Sequence, residues 1–309
     1  MIKDLIIGSN VDDKFYVKQK TIGVSKTGSN YITVILQDIS GVIDCKIWDI
    51  TNMIGEFEAG DFVQVIGNVG SFRDAPQITI TGIEKIDSST VNIEDFCPHT
   101  PKNITEMVEQ LNNYIESITD PYYKQLLECF FKNEKFMNIF KNASAAKSVH
   151  HAYIGGLLEH ALTTTTICDT FCNLYKVNRN LLITAALLHD IGKVKEISAF
   201  PENDYTDAGQ LLGHIYMGAE MIDIQARKIE GFPKTKLIEL KHCILAHHGE
   251  AEYGSPKVPM LIEAMLLHMA DSTDAKARRF EDIIAETEPL TWTVKTDFAL
   301  GTKIRSTSD

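Results

Sequence analysis

Between residues 86 and 104 the spacing of apolar residues changes, and with it the kind of backbone that can bury them. Before the change, FYVKQKTIGV (15–24), NYITVILQD (30–38), GVIDCKIWD (41–49), DFVQVIG (61–67) and PQITITGIE (76–84) are short runs rich in Val, Ile, Thr and aromatics. Several alternate, most clearly Ile78-Thr79-Ile80-Thr81, which buries one face of a strand and wets the other. Turn signals separate them: Thr27-Gly28-Ser29-Asn30, Ser40-Gly41, Ala59-Gly60-Asp61 and Asp74-Ala75-Pro76. Five such strands, with a longer connection between the third and fourth, match an OB-fold barrel over residues 1–90. An SH3-like barrel would give much the same pattern. After the polar, proline-containing stretch 87–103, with 91–103 read as the linker, the spacing is helical to about residue 285. Helices are expected over about 104–118, 121–140, 157–176, 180–190, 215–230, 235–248 and 258–280. The expected architecture is therefore multidomain, a small all-β OB-fold barrel followed by an all-α domain at 104–285. The tail 286–309, with its strand-like TWTVKTDFAL, is ambiguous.

At 309 residues the chain has room for two domains, one of them sizeable. No stretch approaches the roughly 18 continuous apolar residues of a membrane span, and MIKDLIIGSNVDDK has no apolar core long enough for a signal peptide. A cytoplasmic protein with no membrane partner is the simple expectation. The six cysteines form no C-x-x-C pair and read as buried thiols, Cys168 and Cys172 included. A net charge of −12 argues against broad, non-specific nucleic-acid binding, and leaves bound cations to neutralise a phosphate substrate.

The helical half carries the chemistry. In LLEHAL, LLHDIGK, LLGHI, ILAHHGE and LLHMAD, a His or Asp interrupts an apolar run where an unpaired imidazole or carboxylate would be costly to bury. One such residue is usually a satisfied core group. Five runs in one domain call for a common explanation, and metal ligation supplies it by engaging the lone pairs. His189 and Asp190 are adjacent, so on a continuing helix they would point about 100° apart. They can share a site where the helix ends, which Gly192 is expected to bring about. His160 and Asp271 come from other helices, His214 follows Gly213, and His247–His248 precede Gly249. Facing helices are a common source of metal ligands in bundles.

His160…His189-Asp190…Asp271 resembles the H…HD…D signature of the HD-domain superfamily of metal-dependent phosphohydrolases. With the N-terminal barrel, HHAYIGGLLEH (150–160), LLHDIGKVKE (187–196) and AHHGEAEYGSP (246–256) resemble the YhaM-type 3′→5′ exoribonucleases. The resemblance spans about residues 12–285. It implies a first metal held by His160, His189, Asp190 and Asp271. Asp190 would bridge to a second metal held by His214 and His247. His248 is a further candidate, since one of the two adjacent histidines could instead bond a phosphate oxygen. A nitrogen- and carboxylate-rich site suits Mn²⁺, Fe²⁺, Co²⁺ or Zn²⁺ better than Mg²⁺, and the resemblance implies Mn²⁺. Two ions about 3.5–4 Å apart would activate a water for in-line attack on phosphorus. Lys193 could add positive charge there, or be a solvated surface lysine. His150 and His151 could touch phosphate or ribose, protonate the leaving oxygen, or be structural. His268 and Asp274 lie one turn either side of Asp271 and could orient a ligand, against simpler core or surface roles.

On the barrel, Tyr31, Trp48 and Phe72 with Lys46 and Arg73 are the candidates for stacking bases and meeting phosphates, or are barrel core. Eight Lys and Arg against fourteen Asp and Glu over residues 1–95 make a poor phosphate surface. An RNA-binding role for the barrel therefore rests on the resemblance. The expected substrate is single-stranded RNA, with single-stranded DNA left open. The alternatives are an HD phosphohydrolase of nucleotides or cyclic dinucleotides, a di-iron oxygenase on the same ligands, or a nucleic-acid-binding protein with an inactive helical domain. The apolar pair 104–140 offers either a homo-oligomer interface or a cover for the helical core.

Overall fold

The alternating half of the chain closes into a barrel because its first strand is long enough to pair twice. In the computed structural model, which describes residues 1–25, 28–48, 55–73, 75–147 and 151–308, β1 (Asn10–Val24) pairs β4 (Phe62–Phe72) through Asn10–Tyr16. It pairs β2 (Asn30–Asp38) through Tyr16–Val24, with an irregularity between Val17 and Gln19 at the changeover. β3 (Gly41–Ile47) follows β2, and β5 (Ala75–Ile86) lies between β3 and β4, parallel to β3 and antiparallel to β4. The closed order β1-β2-β3-β5-β4 is the OB-fold arrangement, which decides between the two small barrels the spacing allowed. Phe15, Val17, Val34, Leu36, Cys45, Val63, Val65 and Ile78 fill it. The turn residues Thr27 and Asp74, residue 49 of the expected third strand, and His150 lie outside the described residues.

Residues 1–99, with 199–203, form one compact unit; 100–198 and 204–309 form the other. Part of the expected linker belongs to the first unit. Phe96 and Cys97 are buried, Phe96 meets Phe62 edge-on at 5.0 Å, and its carbonyl accepts the Gln37 Nε2–H at 3.1 Å. A phenylalanine and a thiol in this polar stretch had somewhere apolar to go.

The helical unit contains α1 (Ile104–Ser117), α2 (Pro121–Phe131), α3 (Glu134–Phe140), α4 (Gly156–Leu174) and α5 (Arg179–Leu188). The short α6 (Lys193–Glu196), α7 (Asp207–Ala226), α8 (Lys234–Ala246) and α9 (Ile262–Ala285) follow. The expected helix at 121–140 is two, because Asn133 accepts the Phe136 N–H and starts a new one. Met107, Leu111, Leu126, Leu127, Phe130 and Phe140 of the first three helices lie in the main core, so this group covers the bundle. Leu181 through Leu188 of α5 are all buried, as in a helix enclosed on every side. Among the described residues no helix is long and apolar enough to cross a membrane. The tail is tied down by Arg279–Asp297 at 2.5 Å and by buried Ile304, and its strand character reduces to a single Trp292–Arg305 bridge.

Gly192 does not end α5 in the way the sequence suggests. Its φ is −63°, right-handed backbone open to any residue. Glycine is needed for space: a Cβ there would lie 2.0 Å from the His214 carbonyl oxygen and 2.8 Å from the Gly218 nitrogen. Loss of that close approach would push α7 away from the end of α5. Gly192→Ala is expected to cost about 1–3 kcal/mol or more, as overpacking does, read from urea unfolding of the full chain. Unchanged stability would show that the backbone yields at no cost.

Candidate metal centre

Three elements end or break where the site is. α5 delivers His189 and Asp190 just past its last residue, and α8 does the same with His247 and His248. In α7 the φ of +73° at Gly213 interrupts the helix, so His214 begins its second part. α4 and α9 present His160 and Asp271 from within. All of the sequence-derived ligand candidates except His248 converge on the Asp190 carboxylate or on His160. His160 Nε2 is 3.1 Å from His189 Nε2, 3.2 Å from Asp271 Oδ1 and 3.4 Å from Asp190 Oδ2. On the other carboxylate oxygen, Asp190 Oδ1 is 3.4 Å from His214 Nε2 and 3.6 Å from His247 Nε2. His248 packs its ring on His247 at 4.4 Å and His214 at 5.2 Å, and these three could share an ion of their own.

Each of the four central imidazoles is held from behind through Nδ1. His189 reaches the Ala186 carbonyl at 2.7 Å and His247 the Ile244 carbonyl at 2.6 Å. His160 reaches Asp274 Oδ2 at 2.6 Å and His214 reaches Glu196 Oε1 at 2.9 Å. Oxygen acceptors place the proton on Nδ1, which leaves the Nε2 positions facing inward. Asp190 Oδ1, His214 Nε2 and His247 Nε2 are buried with no hydrogen-bond partner. Buried acceptors left facing one another are costly, and a divalent cation would satisfy them together. These residues therefore fit a metal site in donor type and direction.

The electrostatics agree in sign. Burial opposes charge on Asp190, but Lys193 and the neighbouring histidines outweigh it and hold its pKa well below the usual carboxylate range. Lys193, far from being a solvated surface lysine, is largely buried with Nζ 2.7 Å from Asp190 Oδ2. Burial works against its charge too, and Asp190 overcomes it, raising the lysine pKa. Burial takes His189 down to about 4, so this imidazole is neutral. It acts on His160 in the same direction, but the Asp190, Asp271 and Asp274 carboxylates outweigh it and raise that pKa well above normal. Without a cation His160 keeps a second proton, on Nε2.

His151 is buried at a left-handed φ of 57°. Its Nε2 lies 2.9 Å from Asp274 Oδ2 and its Nδ1 2.8 Å from the Tyr153 hydroxyl. His268 bonds through Nδ1 to the His247 carbonyl at 2.8 Å, steadying the end of α8. Sequence reasoning missed Glu196 and ranked Asp274 too low. The usable signal was that an imidazole ligand needs a partner on its second nitrogen, and LLHDIGKVKE ends in a carboxylate.

On the barrel, Tyr31, Lys46 and Trp48 come together. Lys46 Nζ sits 4.7 Å from the centre of the Tyr31 ring and donates to Thr33 Oγ1 at 2.5 Å; Tyr31 and Trp48 lie 5.2 Å apart. A Cβ on Gly23 would meet the Tyr31 ring at 2.6 Å, so glycine makes room for it. Phe72 and Arg73 pair at the β4–β5 turn, 5.3 Å from guanidinium to ring centre. Trp48 and Phe72 are both 55% exposed, so neither is barrel core.

A cation reaching His160 Nε2 must displace its proton. The affinity for Mn²⁺ is therefore expected to rise with pH, by about tenfold per unit for one proton displaced, until pH passes the raised value for His160. Titration calorimetry from about pH 6 to about pH 8 reads this, and an affinity that falls over that range would contradict it.

Residues 157–276 match the HD domain and residues 16–86 an OB-fold nucleic acid binding domain. The chain is 34% identical over 297 residues to the 3′-5′ exoribonuclease YhaM of Bacillus velezensis, covering 95% of this chain and 93% of the relative. It is 32% identical over 297 residues to that of Bacillus subtilis, with the same coverages. To that of Oceanobacillus iheyensis it is 35% identical over 286 residues, covering 92% of this chain and 89% of the relative. With both halves of the chain inside one continuous alignment, it belongs to the YhaM family of 3′-5′ exoribonucleases.

Proposed function

We propose that the chain is a metal-dependent 3′→5′ exoribonuclease that hydrolyses phosphodiester bonds of single-stranded RNA. The observation that carries this reading is the set of inward-facing, unpartnered donors around Asp190, found in a chain whose relatives are named for that activity. His160, His189, Asp190 Oδ2 and Asp271 would hold one divalent cation, and Asp190 Oδ1, His214 and His247 a second, with Mn²⁺ the favoured metal. Bound cations supply charge that activates water and neutralises phosphate oxygens. Lys193 keeps a positive charge beside Asp190, where it offsets the charge gathering on phosphorus in the transition state. His248, whose ring packs on those of His247 and His214, would bond a phosphate oxygen.

The barrel supplies the preference for single strands. Tyr31 and Trp48 offer ring faces for bases and Lys46 a charge for the backbone; Phe72 and Arg73 offer a second such pair. Stacking tolerates any base, so the reading extends to single-stranded DNA unless the 2′-hydroxyl is recognised. The enzyme is taken to act in the cytoplasm.

With 5′-labelled single-stranded RNA and Mn²⁺, the wild type is expected to give a ladder that shortens from the 3′ end. Asp190→Ala should lower the rate by more than about 100-fold, the upper end of what losing an outer partner of a metal ligand costs. No cleavage of any RNA, with turnover of mononucleotides or cyclic dinucleotides instead, would overturn the proposal. Trp48→Ala is expected to weaken binding of single-stranded RNA by about 1–3 kcal/mol, measured by fluorescence anisotropy, while the metal affinity stays as it was. Undiminished RNA binding would remove Trp48 from the interface.

A further inference from the structure

Behind His160, away from the converging donors, runs a continuous hydrogen-bond chain, buried at its His160 end. His160 Nδ1 meets Asp274 Oδ2 at 2.6 Å, and the same oxygen receives His151 Nε2 at 2.9 Å. His151 Nδ1 meets the Tyr153 hydroxyl at 2.8 Å. That hydroxyl donates to Glu159 Oε2 at 2.9 Å, which also accepts the Thr100 hydroxyl at 2.6 Å, while Lys102 Nζ lies 3.1 Å from Glu159 Oε1. Direction follows from the donors available. Tyr153 has one proton and gives it to Glu159, so its oxygen faces His151 Nδ1, and the Asp274 carboxylate faces His151 Nε2. Both ring nitrogens of His151 are engaged within the chain.

The backbone around this chain is built to tight tolerance. His151 holds a left-handed φ that a non-glycine residue adopts only when its surroundings impose it. A Cβ on Gly156 would lie 2.1 Å from the His151 carbonyl oxygen, and one on Gly155 would lie 2.7 Å from Thr100 and Ile104 side-chain carbons. The Arg278 guanidinium lies 5.9 Å from the centre of the Tyr153 ring. A buried network satisfied at every member fixes geometry.

We infer that Tyr153 is a positioning residue for the metal ligand His160, acting through His151 and Asp274 to fix which nitrogen of His160 faces the cation and at what angle. The inference rests on His160 being a ligand. Tyr153→Phe keeps the ring under Arg278 and removes only the hydroxyl. By calorimetric titration of the full chain with Mn²⁺, its affinity is expected to fall roughly tenfold, the lower end of the range for outer partners of a ligand. Thr165→Val serves as control: it removes a buried hydroxyl from α4, bonded to the Ala161 carbonyl at 2.7 Å, and should bind Mn²⁺ like the wild type. If Tyr153→Phe does not fold, Glu159→Gln, which removes the charge that orients the hydroxyl, is read in the same way. Wild-type affinity in Tyr153→Phe or Glu159→Gln, or an equal loss in Thr165→Val, would overturn the inference. Failure of the underlying reading looks different: His160→Ala would then bind Mn²⁺ as tightly as the wild type.

Discussion

The Asp190 carboxylate is 3% exposed at the end of a helix whose last eight residues are all buried, and the rest of the site answers to that fact. An isolated ionised carboxylate in such a place would cost far more than a domain's net stability. The fold surrounds it with its neighbour His189 and with Lys193, His160, His214 and His247 from four other elements. The inward-facing nitrogens and the unpartnered Asp190 oxygen leave a place that a divalent cation would complete. A buried charge of this kind is poor value for stability, so its presence at the centre of the bundle is an argument about function.

The sequence made the site more legible than its support, and the reason is local geometry. His189 and His247 stand just past helix ends, where the last carbonyls lack intrahelical partners. Each turns back to the carbonyl three residues earlier, Ala186 or Ile244. Such a histidine carries its anchor with it, so a His-Asp or His-His pair at the close of an apolar run can be recognised from a short window. His160 is mid-helix and His214 follows a break; neither has a free carbonyl beside it. Their anchors, Asp274 and Glu196, lie 114 and 18 residues away. A single sequence can offer such a carboxylate as a partner, as the end of LLHDIGKVKE does, but not say which imidazole it anchors.

The fold shows the same division. Alternation and turn residues marked five strands, and only the pairing of β5 between β3 and β4 distinguished the two small barrels. Pairing is non-local and leaves no periodicity. The expected end of α5 at Gly192 failed for a related reason: glycine was read for backbone freedom, when the constraint came from α7 across the gap. Phe96 and Cys97 in a polar stretch were signs of packing that the prolines obscured. The barrel's net charge does not show local arrangement: an acidic domain still gathers Lys46 with Tyr31 and Trp48.

The two kinds of anchor also have a chemical consequence. Each half of the centre combines one carbonyl-anchored imidazole with one carboxylate-anchored imidazole: His189 with His160 on one side of Asp190, His247 with His214 on the other. A carboxylate behind an imidazole makes it the more basic ligand, and a carbonyl does so less. Both halves thus offer a stronger and a weaker nitrogen donor with one oxygen of the same aspartate. They differ in what lies beside them, the Asp271 carboxylate in the first and the His248 ring in the second. A carboxylate-richer set suits a harder cation and an imidazole-richer set a softer one. The first set is backed by the hydrogen-bond chain from Tyr153, and the second depends on the Gly213 break in α7 and the Glu196 carboxylate.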